Sequence, residues 1–169
     1  MTLAGRWYRI GLLLLILVIS SACNKRGGLQ IGDAVPSVTL KDFHGKSVSL
    51  PQDLKGRVIL LRFWSLDCEF CDKETVMGLE SLYQKYRQKG FMPVAVNVSS
   101  IDPNDESLKD FEQLTFPMLV DQRGIVAKKF GVIGLPTSFV IDSEGVLREK
   151  LTGEAGLDEL ERLFTTILN

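Results

Sequence analysis

Val58-Ile59-Leu60-Leu61-Arg62-Phe63-Trp64, followed three residues later by Cys68-Glu69-Phe70-Cys71, is the stretch on which the fold turns. The near-continuous apolar run predicts a strand. Its lack of polar alternation predicts a strand covered on both faces, hence central in its sheet. Downstream, Val76, Leu79, Leu82, Tyr83 and Tyr86 recur at spacings of three and four, which predicts a helix reaching about Lys89 and ended by Gly90. Phe91–Val98 reads as the next strand, and the strand–helix–strand order implies parallel pairing through a right-handed crossover. The two cysteines therefore stand at a strand-to-helix junction.

Working outward, Val35–Leu40 alternates weakly and carries Pro36, which suits an edge strand. Asp42–Lys46 contains Gly45 and reads as a turn, with Val48–Leu50 returning, so an N-terminal β-hairpin precedes the central strand. Toward the C-terminus, Asp102-Pro103-Asn104-Asp105 reads as a turn into a helix around Glu106–Gln113. Met118–Val120 reads as a short strand and Gly124–Phe130 as a short helix ended by Gly131. Pro136–Ile141, the turn Asp142-Ser143-Glu144-Gly145 and Val146–Lys150 form a second hairpin. Leu157, Leu160, Leu163, Phe164 and Ile167 supply the apolar face of a last helix. The expectation is an α/β fold, a central mixed sheet flanked by helices, spanning residues 31–169.

The 169 residues suit one globular domain with an extension. A formal net charge of −1 advertises no nucleic-acid surface; Arg87–Lys89 and Lys128–Lys129 read as solvated faces. Arg6 and Arg9 precede the apolar run Ile10–Ile19 and then Ser20, Ser21, Ala22 and Cys23, the order of a secretory signal. The apolar run falls short of the roughly 20 residues that a bilayer core requires. Ile19-Ser20-Ser21-Ala22-Cys23 resembles a bacterial lipobox, with Ser20 where that pattern prefers Leu. Residues 1–22 are thus expected to be a lipoprotein-type signal with Cys23 as the lipidated residue, or an uncleaved signal anchor. Either would hold the domain on the outer side of a membrane. Residues 23–30, polar and carrying Gly27 and Gly28, read as a linker.

The chain has three cysteines, and two are separated by only two residues. Thiols at i and i+3 at a helix start are close enough to bridge. The helix end, with its unpaired N–H groups and positive dipole, favours a thiolate on Cys68, the expected nucleophile. Cys71, more recessed, would resolve a mixed disulfide. The competing readings are a structural disulfide and a metal site. A zinc site needs four ligands, and the single histidine, His44, lies in a predicted exposed turn, so no metal is assigned.

Three blocks, Val58–Cys71, Phe91–Ser100 and Phe130–Gly145, resemble the thioredoxin superfamily, and within it the membrane-tethered TlpA/ResA-like group that includes thioredoxins of cytochrome c maturation. The resemblance covers about Ile31 to Asn169. Gly134-Leu135-Pro136-Thr137-Ser138-Phe139-Val140-Ile141-Asp142 resembles the family's cis-proline loop and following strand. It implies that Pro136 is cis and faces the cysteines, and that Leu135 offers its backbone to an extended substrate strand. Trp64 is grouped with the substrate-binding residues and, with Phe63, is read as a core or subsurface aromatic beneath the cysteine loop.

Departures from the family pattern bear on mechanism. Asp67 stands where Trp commonly precedes the first cysteine; its carboxylate, like that of Glu69, disfavours a neighbouring thiolate and leans toward a reducing couple, unless Asp67 caps the helix. Phe70 replaces a proline and adds an aromatic edge, for a partner or for packing. Arg62 occupies the strand position where the family places an acid or amide, and would favour the thiolate. Asp67, Glu69 and Glu74 are weak candidates for the missing proton-transfer acid.

The resemblance implies reduction of disulfides in exported proteins such as apocytochrome c. No bound cofactor is needed, and electrons would come from a membrane thiol-transfer protein of the DsbD/CcdA kind. The alternatives are a general reductant or oxidant of exported proteins and a non-catalytic binding module with a structural disulfide. The peroxiredoxin Pro/Thr arrangement is missing before Cys68, and the three-residue cysteine spacing and downstream His of Sco-type copper chaperones are missing too.

Overall fold

The computed structural model describes residues 28–102 and 105–168. The expected signal segment, Cys23 and most of the linker lie outside the described residues, as do Pro103 and Asn104 of the predicted turn. Strands β1 (Val38–Asp42), β2 (Ser47–Leu50), β3 (Val58–Trp64), β4 (Phe91–Asn97), β5 (Met118–Val120), β6 (Thr137–Ile141) and β7 (Leu147–Thr152) form one mixed sheet in the order β2-β1-β5-β4-β3-β6-β7. The helices are α1 (Lys73–Tyr86), α2 (Ile125–Phe130) and α3 (Leu157–Leu168).

The apolar run is central, as its composition demands. β3 pairs in parallel with β4 and antiparallel with β6, and all seven of its residues are buried. Side chains alternate across a sheet, so Phe63 and Trp64 point to opposite faces. Phe63 meets Phe130 of α2 at 5.5 Å between ring centroids and Phe139 of β6 at 5.7 Å. Phe91 is paired with Val58 and so shares the face of Leu60, Arg62 and Trp64. There it stacks on Phe164 of α3 at 3.8 Å and meets Tyr86 of α1. Helices thus cover both sides of β3, with α1 and α3 on the face to which Arg62 points.

The N-terminal hairpin forms as expected, β1 against β2. Asp42 Oδ1 accepts the backbone N–H groups of His44 and Lys46, and Gly45 takes φ 82° to close the turn. β1 is not an edge strand, however: it also pairs with β5, and β2 is the edge. Pro36, lacking an N–H, stays outside the ladder, which starts at Val38. The segment expected as a helix around Glu106–Gln113 is a 3₁₀ turn over Glu106–Phe111. Its Phe111 packs on Trp64, anchoring the turn to the core.

Candidate active site

Beyond Trp64 the chain leaves the sheet through a turn held by short polar contacts. Asn97, fully buried at the end of β4, accepts the Leu66 N–H on Oδ1 at 3.0 Å and donates from Nδ2 to the Ser99 carbonyl. Ser65 accepts the Asp67 N–H on its hydroxyl and the Cys68 N–H on its carbonyl, each at 3.2 Å. Cys71 N–H then reaches the Cys68 carbonyl at 3.2 Å. This tight turn brings the Cα atoms of Cys68 and Cys71 to 5.3 Å, a separation ordinary for a disulfide, and their sulfurs are joined in one. Cys71 is 6% exposed, whereas Cys68 is only half-buried.

The helix begins later than expected. α1 starts at Lys73, so the cysteines lie in the turn ahead of it. Its cap is Asp72, not Asp67, which is exposed. Asp72 accepts the Glu74 N–H at 2.9 Å and the Thr75 hydroxyl at 2.8 Å, satisfying a helix-end donor that was expected to face the sulfur. The Thr75 hydroxyl, with the backbone donors and the Arg62 charge, holds the Asp72 carboxyl below its usual range, against the opposing effect of burial.

Across from the cysteines, the Leu135–Pro136 peptide is cis, and the Leu135 carbonyl oxygen lies 4.0 Å from Cys68 Sγ. Thr137 Oγ1 donates to the Gly134 carbonyl at 2.7 Å and Gly153 N–H to the Pro136 carbonyl at 2.8 Å, pinning the loop from both ends. Phe70 is 76% exposed beside the disulfide, and Ile133 in the proline loop is 91% exposed. Ile133 was not singled out from sequence, although an isoleucine between a helix-ending glycine and a proline loop has no strand or helix to bury it. Trp64 is corrected: its ring is fully buried, against Phe111 at 5.2 Å, so it supports the loop from within and offers no face to a substrate.

Arg62 has no exposed surface. Its Nη1 donates to Ser138 Oγ at 3.0 Å, and Nη2 pairs with Glu154 Oε1. Burial pulls the guanidinium below its ordinary range, and Glu154 opposes that pull. Glu154 is therefore the acid near this strand position, and sequence reasoning missed it. The only signal was indirect: a charge inside an apolar strand demands a partner from somewhere. Glu69 and Glu74 remain exposed.

A disulfide at the end of a central strand, met by a cis-proline loop, is the arrangement of thioredoxin-fold thiol–disulfide oxidoreductases, and the chain is a member of that class. The AhpC/TSA family matches residues 31–150. A thiol-disulfide oxidoreductase ResA of Bacillus cereus is 35% identical, covering 85% of this chain and 82% of its own. Thioredoxin-like protein YneN of Bacillus subtilis is 34% identical over 90% and 93%. Among solved structures, a Chlorobium tepidum protein described as a thiol:disulfide interchange protein DsbE superposes with a TM-score of 0.71 at 31% identity, covering 84% of this chain and 100% of that one. The chain belongs to the AhpC/TSA family, among its thioredoxin-like, ResA-related thiol–disulfide oxidoreductases.

Proposed function

We propose that the protein is an extracytoplasmic reductant of disulfides in exported proteins, apocytochrome c among them, held to a membrane by its N-terminal segment through lipidated Cys23 or a signal anchor. The observation that carries the cycle is the unequal exposure of the two sulfurs together with the Leu135 carbonyl 4.0 Å from the outer one. Cys68 thiolate attacks a sulfur of the substrate disulfide, breaking that bond and releasing one substrate thiolate, which takes up a proton. Cys71, deprotonated, then attacks Cys68 Sγ. The Cys68–Cys71 bond forms, the mixed disulfide breaks and the second substrate thiol leaves. Two electrons have passed to the substrate, and a membrane dithiol donor of the DsbD/CcdA kind restores the pair.

The half-buried Leu135 backbone beside the cis bond suits pairing with an extended substrate segment. Phe70 and Ile133 supply exposed apolar surface around it. Asp67 and Glu69, flanking Cys68, disfavour its thiolate and keep the couple reducing. Cys71→Ser in cells tests the reading. A mixed disulfide through Cys68 to an exported protein carrying a cysteine pair is expected. Adducts to cytoplasmic proteins alone, or none, would contradict it.

A further inference from the structure

The Arg62–Glu154 pair links three segments around the site. Arg62 lies on β3, the strand that runs into the cysteine turn. Ser138, bonded to Arg62 Nη1, stands two residues after cis-Pro136. Glu154 follows β7; its Oε1 holds Arg62 Nη2 and also accepts the Ala155 N–H, and its Oε2 accepts the backbone N–H of Asp72 at 3.0 Å. Asp72 directly follows Cys71 and caps α1. One charge pair thus joins the strand before the cysteines, the residue after them and the strand behind the proline loop. Arg62 Nε is buried without a hydrogen bond, and the guanidinium charge is met chiefly by Glu154 and less by Asp72. Stability alone does not call for this arrangement, because apolar replacements of buried ion pairs are often no less stable.

We propose that Arg62 and Glu154 are positioning residues that together set the redox balance of the cysteines, Glu154 cancelling the field of the buried Arg62 guanidinium at the reduced thiols. The proposal rests on the reductive dithiol reading above and supplies one of its physical causes. Left alone, a buried guanidinium on this face would stabilise a thiolate, favour the dithiol and make the couple more oxidising. Paired with a carboxylate it contributes little net charge. The other charges near the sulfurs are Asp67 and Glu69 in the cysteine turn and Asp72, Lys73 and Glu74 at the start of α1. From the proline loop, Ile133, Gly134 and Leu135 add none.

The test compares Glu154→Gln, Arg62→Met, Arg62→Lys and the double variant Arg62→Met/Glu154→Gln on the full chain. It reads the equilibrium with glutathione and the pH profile of Cys68 alkylation. Glu154→Gln is expected to move the equilibrium about tenfold toward the dithiol, about 30 mV, and to shift alkylation to lower pH. Arg62→Met should move both the other way. The double variant and Arg62→Lys should each fall within about threefold of the parent. Shifts of one sign in both single variants, or no shift in Glu154→Gln, would reduce the pair to a structural brace and overturn the proposal. Glu154 retains 33% side-chain exposure, so Glu154→Gln gives the sign even if Arg62→Met fails to fold. The parent's own potential tests the reductive reading separately: an oxidising parent with opposed variant shifts would sink that reading and keep this one.

Discussion

Cys68 and Cys71 differ in what they can reach. The half-buried sulfur is open to a partner, and the one at 6% exposure is open mainly to its neighbour. Their pairing was readable from spacing, because residues three apart in a turn are local neighbours. The cis-proline loop was readable only through family resemblance, since nothing local distinguishes a cis from a trans proline there. Asn97 and Glu154 were invisible: each acts on backbone or side chains 31 to 92 positions away, and such pairings leave no periodic trace. Asn97→Ala would strand the Leu66 N–H in the interior and is expected to cost about 1–3 kcal/mol, seen as a lower urea midpoint. At the surface, Phe70→Ala should raise KM for a folded protein disulfide about fivefold, the size of a modest interface contact of about 1 kcal/mol. Steady-state kinetics should show a smaller effect on oxidised glutathione, which is too small to span the aromatic and the proline loop.

Elements form where apolar pattern and capping agree, and shift where they compete. The cysteines were expected to open α1, but the helix starts just after them because Asp72 provides the cap: its carboxylate answers both Glu74 N–H and Thr75 Oγ1. The 106–111 segment settles as a 3₁₀ turn, a form used in short pieces, and that turn delivers Phe111 to Trp64. Asp72→Ala is expected to destabilise the fold by about 1 kcal/mol, the usual worth of an N-cap. Because the folded-state pKa of Asp72 is depressed, its contribution is full above the unfolded carboxyl value of about 3.9 and is lost as pH falls through the folded value. The stability gap between parent and Asp72→Ala should therefore be widest near neutrality and close in acid, with exposure of the carboxylate keeping it modest. Urea unfolding across pH reads this directly.

For the whole molecule, the sequence foretold one mixed sheet around β3, because an apolar run of that length has nowhere to go but the centre. It misplaced the edge: Pro36 suggested that β1 lay outermost, whereas strand order depends on β5 arriving from a distance to pair with β1. Leu61, fully buried in the interior strand β3, anchors this architecture. Leu61→Ala is expected to cost about 2–5 kcal/mol, with the denaturant midpoint falling and its slope unchanged. The same sheet carries β3 to the cysteines and β6 away from the proline loop, so the redox site inherits its geometry from the core. Under the proposed function, acidic residues around the turn and a neutralised buried arginine bias that site toward giving electrons. Redox titration of the full chain against glutathione and dithiothreitol measures this most directly: a midpoint near that of thioredoxin, about −270 mV, is expected, and one near that of a strong oxidant, about −120 mV, would contradict it.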